Sequence, residues 1–247
     1  MYAAGLTDTG KKREQNQDAI FVSNEPIGPL PNLYILADGM GGHNAGDVAS
    51  TKAVDHVKKY IQNFKAAKFV KPENFLDLLV TATQEANGKV FAMSEKNENM
   101  RGMGTTLIAC TIHDGKIMMV HVGDSRAYVV SPTGITQITQ DHTFVQQMLE
   151  KGQLTEAQAS VHPKRHVITK ALGIAGPLEV DGIVRLVGDA KTIILCSDGL
   201  SDMLDDPGIK NIVDVVGFPE QRVKFLIEEA NMRGGYDNIS AILIDVQ

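Results

Sequence analysis

The sequence predicts an α+β fold built as a four-layer αββα sandwich, in which two stacked, mainly antiparallel β-sheets are flanked by α-helices. Strand-like runs follow one another in pairs joined by short turns, which favours antiparallel neighbours. Several runs are apolar throughout, as expected for strands that are covered on both faces. The helical segments lie in blocks between groups of strands, so the order is not that of a parallel βαβ fold.

Nine strand-like runs make up the predicted sheets. Turn sequences between them support hairpins: His113-Asp114-Gly115 joins one pair, and Ser131-Pro132-Thr133-Gly134 joins another. The runs lie at about 2–7, 18–23, 33–37, 105–112, 117–122, 126–130, 181–187, 192–197 and 239–246.

Three helices are predicted from apolar residues that recur every three or four positions. They cover about 44–64, 73–97 and 220–232. The third opens after Pro219 and stops before a pair of glycines, which are ordinary start and stop signals for a helix.

The segment from about 142 to 180 is irregular, apart from a short amphipathic piece from Phe144 to Leu149. An excursion of this kind from a rigid sheet is a natural place for a mobile flap that contacts a substrate. No linker, low-complexity tract or repeat divides the chain. We therefore expect a single domain over residues 1–247, with a flap subdomain at about 142–180.

Composition excludes several classes of function. The net charge of −6 and the pI near 5.6 argue against a nucleic-acid-binding surface, which normally carries a basic stripe. No apolar run approaches the roughly 18 residues that a membrane-spanning helix needs, and residues 1–17 lack the apolar core of a signal peptide. We expect a cytoplasmic protein with no membrane segment.

Cys110 and Cys196 lie inside apolar runs and are expected to be buried, reduced thiols.

Four aspartates lie where apolar strands end or begin. Asp38, Asp124 and Asp198 each follow an apolar run, whereas Asp237 precedes one. Antiparallel neighbours bring the end of one strand and the start of the next to the same edge, so these carboxylates are expected to gather at one rim. Their repulsion would be severe without cations, and an all-oxygen cluster selects hard ions such as Mg²⁺ or Mn²⁺. The pattern predicts a multinuclear metal hydrolase, although each aspartate alone could be a turn or helix-cap residue.

The segment from Asp38 to Gly46 joins a predicted strand to a predicted helix and holds four glycines. Glycines let the backbone approach a ligand closely, so that even a carbonyl could reach a metal. The rival interpretation is a dinucleotide-binding fingerprint. That motif needs Gly or Ala at its sixth place, where the run from Gly39 has Asn44, and Asp38 would repel a pyrophosphate.

Several motifs in register resemble the metal-dependent serine/threonine phosphatases of type 2C, in their bacterial form. The resemblance covers essentially the whole chain, and although any one motif is weak, five in the same order are strong. The five are Arg13-x-x-Asn16-x-Asp18, Asp38-Gly39-Met40-Gly41-Gly42-His43, Gly123-Asp124-Ser125-Arg126, Ser197-Asp198-Gly199-Leu200-Ser201-Asp202 and Asp237-Asn238-Ile239-Ser240; Gly104-Thr105-Thr106, Gln140-Asp141-His142 and His162-Pro163 also match.

The resemblance implies a phosphatase catalytic domain that binds two Mn²⁺ or Mg²⁺ ions, with a third in bacterial members. By matching position, Asp38, Asp198 and Asp237 would ligate one metal. Asp38, the Gly39 carbonyl and Asp18, directly or through water, would serve the second. Asp124, sharing Asp198, would hold the third, and Asp202 could assist. A hydroxide bridging the first two ions would attack the phosphoryl group directly, without a phosphoenzyme.

Arg13 and His43 are the side chains that the resemblance places in the reaction besides the metal ligands. Arg13 would neutralise charge on the phosphoryl oxygens, unless it is a solvated charge beside Lys11 and Lys12. Many eukaryotic members carry His where this chain has Met40, so His43 is the chosen general acid. A metal-bound water could protonate the leaving group instead, and His43 could simply cap the helix that follows.

Other residues carry open alternatives. Asp18 could merely open a strand, and Asp237 could merely form a turn. His121 is expected to be a hydrogen-bonded core residue, and Arg126 either pairs with a carboxylate or points to solvent.

The resemblance implies phosphorylated proteins as substrates and a cognate serine/threonine kinase as the opposing enzyme, and we expect a monomer. Two rival functions stay open: a catalytically dead relative that binds phosphoproteins, and a hydrolase of a small phosphorylated metabolite.

Overall fold

The computed structural model describes residues 1–42, 45–65, 71–215 and 217–246. Eleven strands in the described part of the chain form two sheets, and neighbouring strands in both sheets are antiparallel. Both termini of the described chain lie in one sheet, because the first and last strands pair along their full lengths.

The first sheet has five strands in the order β1-β11-β10-β7-β8. Their bounds are β1 Tyr2–Asp8, β7 Arg126–Ser131, β8 Gly134–Gln137, β10 Thr192–Cys196 and β11 Ile239–Asp245.

The second sheet has the order β2-β3-β5-β6-β9, with β4 paired to β3. Its strands are β2 Asp18–Ser23, β3 Leu33–Met40, β4 Gly104–Thr105, β5 Leu107–His113, β6 Lys116–Val122 and β9 Asp181–Leu186.

Seven α-helices occur in the described residues. They are α1 Ala45–Gln62, α2 Phe75–Lys96, α3 Phe144–Glu150, α4 Glu156–Ser160, α5 Asp198–Ser201, α6 Asp206–Val213 and α7 Pro219–Met232. No helix in these ranges has an apolar stretch of the length that a bilayer requires.

Three buried clusters define four layers. One cluster lies between α1 and α2 and the outer face of the second sheet, and includes Ile35, Val57 and Leu79. A second lies between the two sheets, where Leu36 and Ile108 of one sheet pack with Ile242 of the other. The third lies between the first sheet and α5, α6 and α7. Both faces of the central strands are therefore covered, which is why their sequences are apolar throughout. The predicted αββα sandwich is confirmed.

The structure departs from the predicted elements at several places, among them β8 and α4, which were not predicted. β3 runs on to Met40, three residues beyond the prediction, because Asp38 pairs with Asp18 within the ladder. The predicted 105–112 strand is interrupted at Thr106, whose backbone N–H donates to the Asp38 carbonyl at 2.8 Å. The short helices α5 and α6 were not predicted, since a four-residue and an eight-residue helix give little periodicity.

Candidate metal centre

Asp18 and Asp38 lie side by side at the edge of the second sheet. Asp18 opens β2 and is the direct antiparallel partner of Asp38 near the end of β3. Directly opposed like charges destabilise a strand pair. This arrangement therefore favours a cation or a proton between the two carboxylates.

Asp198 and Asp237 lie at the corresponding edge of the first sheet. Asp198 begins α5 two residues after the end of β10, and Asp237 stands two residues before β11. β10 and β11 are antiparallel partners, with Cys196 opposite Ala241, so the end of one and the start of the other meet. The predicted meeting of strand ends is confirmed for Asp198 and Asp237, and the structure adds Asp18 as the strand partner of Asp38.

Two serines connect the edges of the two sheets. The hydroxyls of Ser197 and Ser240 donate to the Asp18 Oδ2 atom at 2.8 Å and 2.6 Å. Ser197 follows β10 and Ser240 lies in β11, whereas Asp18 belongs to the other sheet. The rim is therefore one site built from both sheets.

Five carboxylates, which we call the rim aspartates, influence one another at this site: Asp18, Asp38, Asp124, Asp198 and Asp237. Burial raises the pKa of Asp18 to about 6, against the opposing hydrogen bonds from the two serines. Burial, followed by the charges of the neighbouring rim aspartates, raises the pKa of Asp38 and of Asp198 well above the ordinary value. Burial and the charge of Asp141 raise the pKa of Asp124 to about 7. A divalent ion removes this penalty because it takes the place of the protons.

The donor atoms themselves fit hard divalent cations. Asp18 Oδ1 and Asp198 Oδ1 are buried and have no hydrogen-bond partner among the described residues. An unsatisfied buried carboxylate oxygen is costly, so such atoms point to a missing ligand. All candidate donors are oxygens, the set that Mg²⁺ and Mn²⁺ prefer.

Gly39 stands where helix α1 approaches β3 most closely. A Cβ atom at this position would lie 2.1 Å from the Gly46 carbonyl oxygen and 2.5 Å from that of Gln17. The Gly39 N–H donates to the same Gln17 carbonyl at 3.0 Å. Only glycine fits, and its carbonyl lies in the backbone directly after Asp38.

A second acidic group adjoins the rim. Asp202, at the end of α5, lies with an oxygen 3.5 Å from His166 Nδ1, and these two with Asp198 form a group close enough to hold an ion. Asp124, Asp198 and Asp202 line a cavity of about 570 Å³ whose other walls include Arg165 and His166 from the 142–180 segment. The irregular segment therefore borders the rim.

Arg13 is held towards the rim by an ion pair. Its Nη2 atom lies 2.6 Å from Asp237 Oδ2, although the side chain is 52% exposed. That hydrogen bond raises the already high pKa of Arg13, and the charges of Asp198 and Asp38 add to it. Arg13 is thus a fixed cation at the mouth of the site. His43 lies outside the described residues.

Asn238 and Thr106 support the rim and were not singled out by the sequence. The buried Asn238 side chain accepts from the Gln17 N–H and donates to the carbonyls of Thr9 and Gln15. The Thr106 hydroxyl accepts from the Asp38 N–H at 2.9 Å. Asn238 and Thr106 lie inside the matching motifs, and this was the only sequence signal for their roles. Their hydrogen-bond partners are far away in the sequence.

The structure shows the surroundings of Arg126 and His121, whose roles the sequence left open. Arg126 pairs with a carboxylate: its Nε and Nη2 atoms bind Asp141 in a fork, at 3.0 Å and 2.7 Å to Oδ2. His121 is buried as predicted, but the expected hydrogen bond is wrong, since neither ring nitrogen has a partner among the described residues. Burial lowers the pKa of His121 to about 4, so the ring is neutral at ordinary pH.

Comparison with known proteins agrees with this geometry. Residues 9–232 match the protein phosphatase 2C family. The serine/threonine phosphatase Stp of Listeria monocytogenes is 34% identical over 99% of this chain and 96% of its own length. The solved S. agalactiae serine/threonine phosphatase superposes with a TM-score of 0.91 at 34% identity, covering 100% of both chains. The catalytic domain of the phosphatase PstP, solved with two manganese ions, gives a TM-score of 0.83 at 32% identity over 99% and 97% of the two chains. The chain belongs to the protein phosphatase 2C family.

Proposed function

We propose that this protein is a metal-dependent protein phosphatase that hydrolyses phosphoserine and phosphothreonine in proteins. The observation that carries the proposal is the convergence of the rim aspartates from two sheets, where the pKa values of Asp18, Asp38 and Asp198 are raised and two buried carboxylate oxygens lack a hydrogen-bond partner among the described residues. Family membership and the manganese-bound relative support the same activity.

The rim aspartates divide the work of holding the ions. Asp38, Asp198 and Asp237 would hold one ion, and Asp38, Asp18 and the Gly39 carbonyl would hold a second. Asp124 and Asp198 would hold a third, with Asp202 nearby. When bound, Mn²⁺ or Mg²⁺ supplies Lewis acidity and hydroxide near neutral pH for direct attack on phosphorus.

Arg13 binds the phosphoryl oxygens at the mouth of this site. A guanidinium offers several donors in a fixed fork that suits phosphate, and Asp237 already orients it. The charge that Arg13 neutralises develops as the serine or threonine oxygen departs. His43 is proposed to protonate that leaving oxygen.

The surroundings of the site suit a protein substrate. The chain acts as one catalytic domain, and the 142–180 segment serves as the flap that contacts the phosphoprotein through the cavity beside Arg165 and His166. We infer a cytoplasmic monomer that opposes a cognate serine/threonine kinase.

The test is hydrolysis of a phosphothreonine peptide by the purified chain. We expect turnover with Mn²⁺ and none after thorough chelation. Asp198→Asn should lower kcat by about 10³-fold or more, because several kcal/mol of charge stabilisation are lost. Asp55→Asn, on the exposed face of α1, is the matched control and should leave kcat unchanged. Full activity in a chelator would refute the proposal.

A further inference from the structure

His142 lies at the start of the 142–180 segment and uses both ring nitrogens. Its Nδ1 atom accepts from the Gly123 backbone N–H at 3.0 Å, and its Nε2 atom lies 3.1 Å from Asp181 Oδ2. A backbone N–H can only donate, so Nδ1 carries no proton in this arrangement. The neutral ring therefore has its proton on Nε2 and donates it to Asp181. The two partners fix the tautomer.

Both backbone polar groups of Gly123 form hydrogen bonds with His142. The His142 backbone N–H also donates to the Gly123 carbonyl, at 2.8 Å. Gly123 has a φ of +110°, and a Cβ atom there would lie 2.5 Å from Thr106 Cγ2. This glycine directly precedes the rim aspartate Asp124, so its unusual backbone geometry sets where that carboxylate stands.

The other side of His142 connects to the base of the flap. Asp181 also binds Lys170, whose Nζ atom lies 3.4 Å from Asp181 Oδ1. The His142 carbonyl accepts from the Thr169 N–H at 2.7 Å. The neutral His121 ring stacks against His142, with centroids 4.8 Å apart. These contacts immobilise the imidazole between the flap and the Asp124 loop.

We propose that His142 is a positioning residue, which holds the Gly123-Asp124 loop so that Asp124 can share a divalent ion with Asp198. The inference rests on the proposed function, because it concerns the third ion of that site. His142 touches neither the ion nor the substrate. It acts through the acceptor that its Nδ1 presents to the Gly123 N–H, as outer groups orient metal ligands elsewhere.

Two substitutions at His142 test the roles of its two ring nitrogens one at a time. In His142→Asn the side-chain oxygen stands where Nδ1 was and can accept from Gly123, while the bond to Asp181 is lost. In His142→Gln the amide reaches the former Nε2 position and can donate to Asp181, while the Gly123 acceptor is lost. Mn²⁺ binding is measured by calorimetric titration and by electron paramagnetic resonance, with thermal unfolding as the check that each variant is folded.

We expect His142→Gln to weaken the third, weakest-bound Mn²⁺ by roughly 10–100-fold. His142→Asn should lose no more than about threefold, because it keeps the acceptor for the Gly123 N–H through which His142 is proposed to act. Asp124→Asn should lose the same ion. His113→Gln, at the far end of the β5-β6 hairpin, is the matched control and should bind all ions normally. In activity assays, His142→Gln should need more Mn²⁺ for half-maximal turnover, with the KM for the phosphopeptide nearly unchanged.

Several outcomes would contradict the proposed role of His142. A folded His142→Gln that binds every ion like the unaltered chain would overturn the inference, as would equal impairment of the Asn and Gln variants. If the unaltered chain binds only two Mn²⁺ and is active, the inference falls while the proposed function stands. If it binds none, both fall.

Discussion

Asp38 is an unfavourable residue for the folded chain when no metal is bound. Burial and mutual repulsion raise the pKa of Asp38 well above its ordinary value. The same carboxylate is one of those that would hold the divalent ions. Residues of this kind are kept for their chemistry, and removing them commonly stabilises a protein while it loses activity.

Asp38→Asn is therefore expected to stabilise the metal-free chain. The amide has nearly the shape of the carboxylate but no charge, so the repulsion at the rim falls. The melting temperature in a chelator at pH 7.5 should rise, by roughly 2–4 °C for each 1 kcal/mol in a chain of this size. Mn²⁺-dependent turnover should be lost in the same variant.

Asp55→Asn is the control for that measurement, because the Asp55 side chain is 40% exposed and its only ion pair among the described residues is a helix-surface contact with Lys59. Such pairs contribute little. A melting temperature that falls in Asp38→Asn, or rises equally in both variants, would contradict repulsion at the rim.

The second prediction concerns the positive charge that Arg13 contributes at the mouth of the site. Arg13→Ala should lower kcat/KM for a phosphopeptide by about 10–100-fold, the worth of a charged hydrogen bond of roughly 1.5–3 kcal/mol. Arg13→Lys should recover part of this loss, since it keeps the charge without the fork. Steady-state kinetics at saturating Mn²⁺ decides, and Lys12→Ala, on the neighbouring exposed residue, is the control. An Arg13→Ala enzyme as active as Lys12→Ala would show that Arg13 is only a solvated charge.

At the scale of elements, the junction between β3 and α1 has no room for a side chain at Gly39. Gly39→Ala would place a Cβ atom 2.1 Å from the Gly46 carbonyl oxygen, so helix and strand must separate. We expect a loss of about 3 kcal/mol or more in the free energy of unfolding, since the contact is backbone against backbone. Mn²⁺ affinity should fall as well, because the Gly39 carbonyl moves with the strand.

Gly88→Ala is the matched control for this prediction. Gly88 lies within α2, and no atom would approach its added Cβ within 4 Å. In a helix this change should stabilise the chain by about 0.5–1 kcal/mol. Urea unfolding of both variants gives the comparison, and equal stabilities would argue against a tight junction at Gly39.

The sequence predicted the elements whose pattern is local and long. Apolar runs gave the buried strands, and spacing gave α1, α2 and α7, because each is covered by a full layer of the sandwich. The meeting of Asp198 with Asp237 followed from strand direction alone, whereas Asp18 entered the site only through the family resemblance. Support such as Asn238 binding Gln15 and Gln17 could not be predicted, since it depends on a fold that joins residues more than 200 positions apart.

At the scale of the whole molecule, the two sheets and the metal site depend on each other. The rim draws Asp18 and Asp38 from one sheet and Asp198 and Asp237 from the other, while the two serine hydroxyls cross between them. Ions that bind these carboxylates therefore bind the folded chain only. Metal at 100 times its dissociation constant should add about 2.7 kcal/mol to the free energy of unfolding.

The raised pKa values of the rim aspartates determine how the free energy of unfolding of the metal-free chain changes with pH. In the folded state the pKa of Asp18 is about 6 and that of Asp124 about 7, whereas an unfolded aspartate has its ordinary value of 3.8. The folded chain therefore binds more protons than the unfolded chain between about pH 4 and 7. Its free energy of unfolding should fall as the pH rises through this window. His121 acts in the opposite direction, because its lowered pKa lets the unfolded chain take up a proton below pH 6.5.

The raised pKa values of Asp18, Asp38, Asp124 and Asp198 outweigh the lowered pKa values of His121 and His56, so urea unfolding in a chelator should show lower stability at pH 7.5 than at pH 5. Saturating Mn²⁺ at pH 7.5 should reverse the loss, raising the melting temperature by roughly 5–10 °C. In Asp38→Asn the slope between the two pH values should be shallower, because one proton-binding carboxylate is gone. A chelated chain that becomes more stable from pH 5 to pH 7.5 would mean that the carboxylates repel one another too weakly to require a cation.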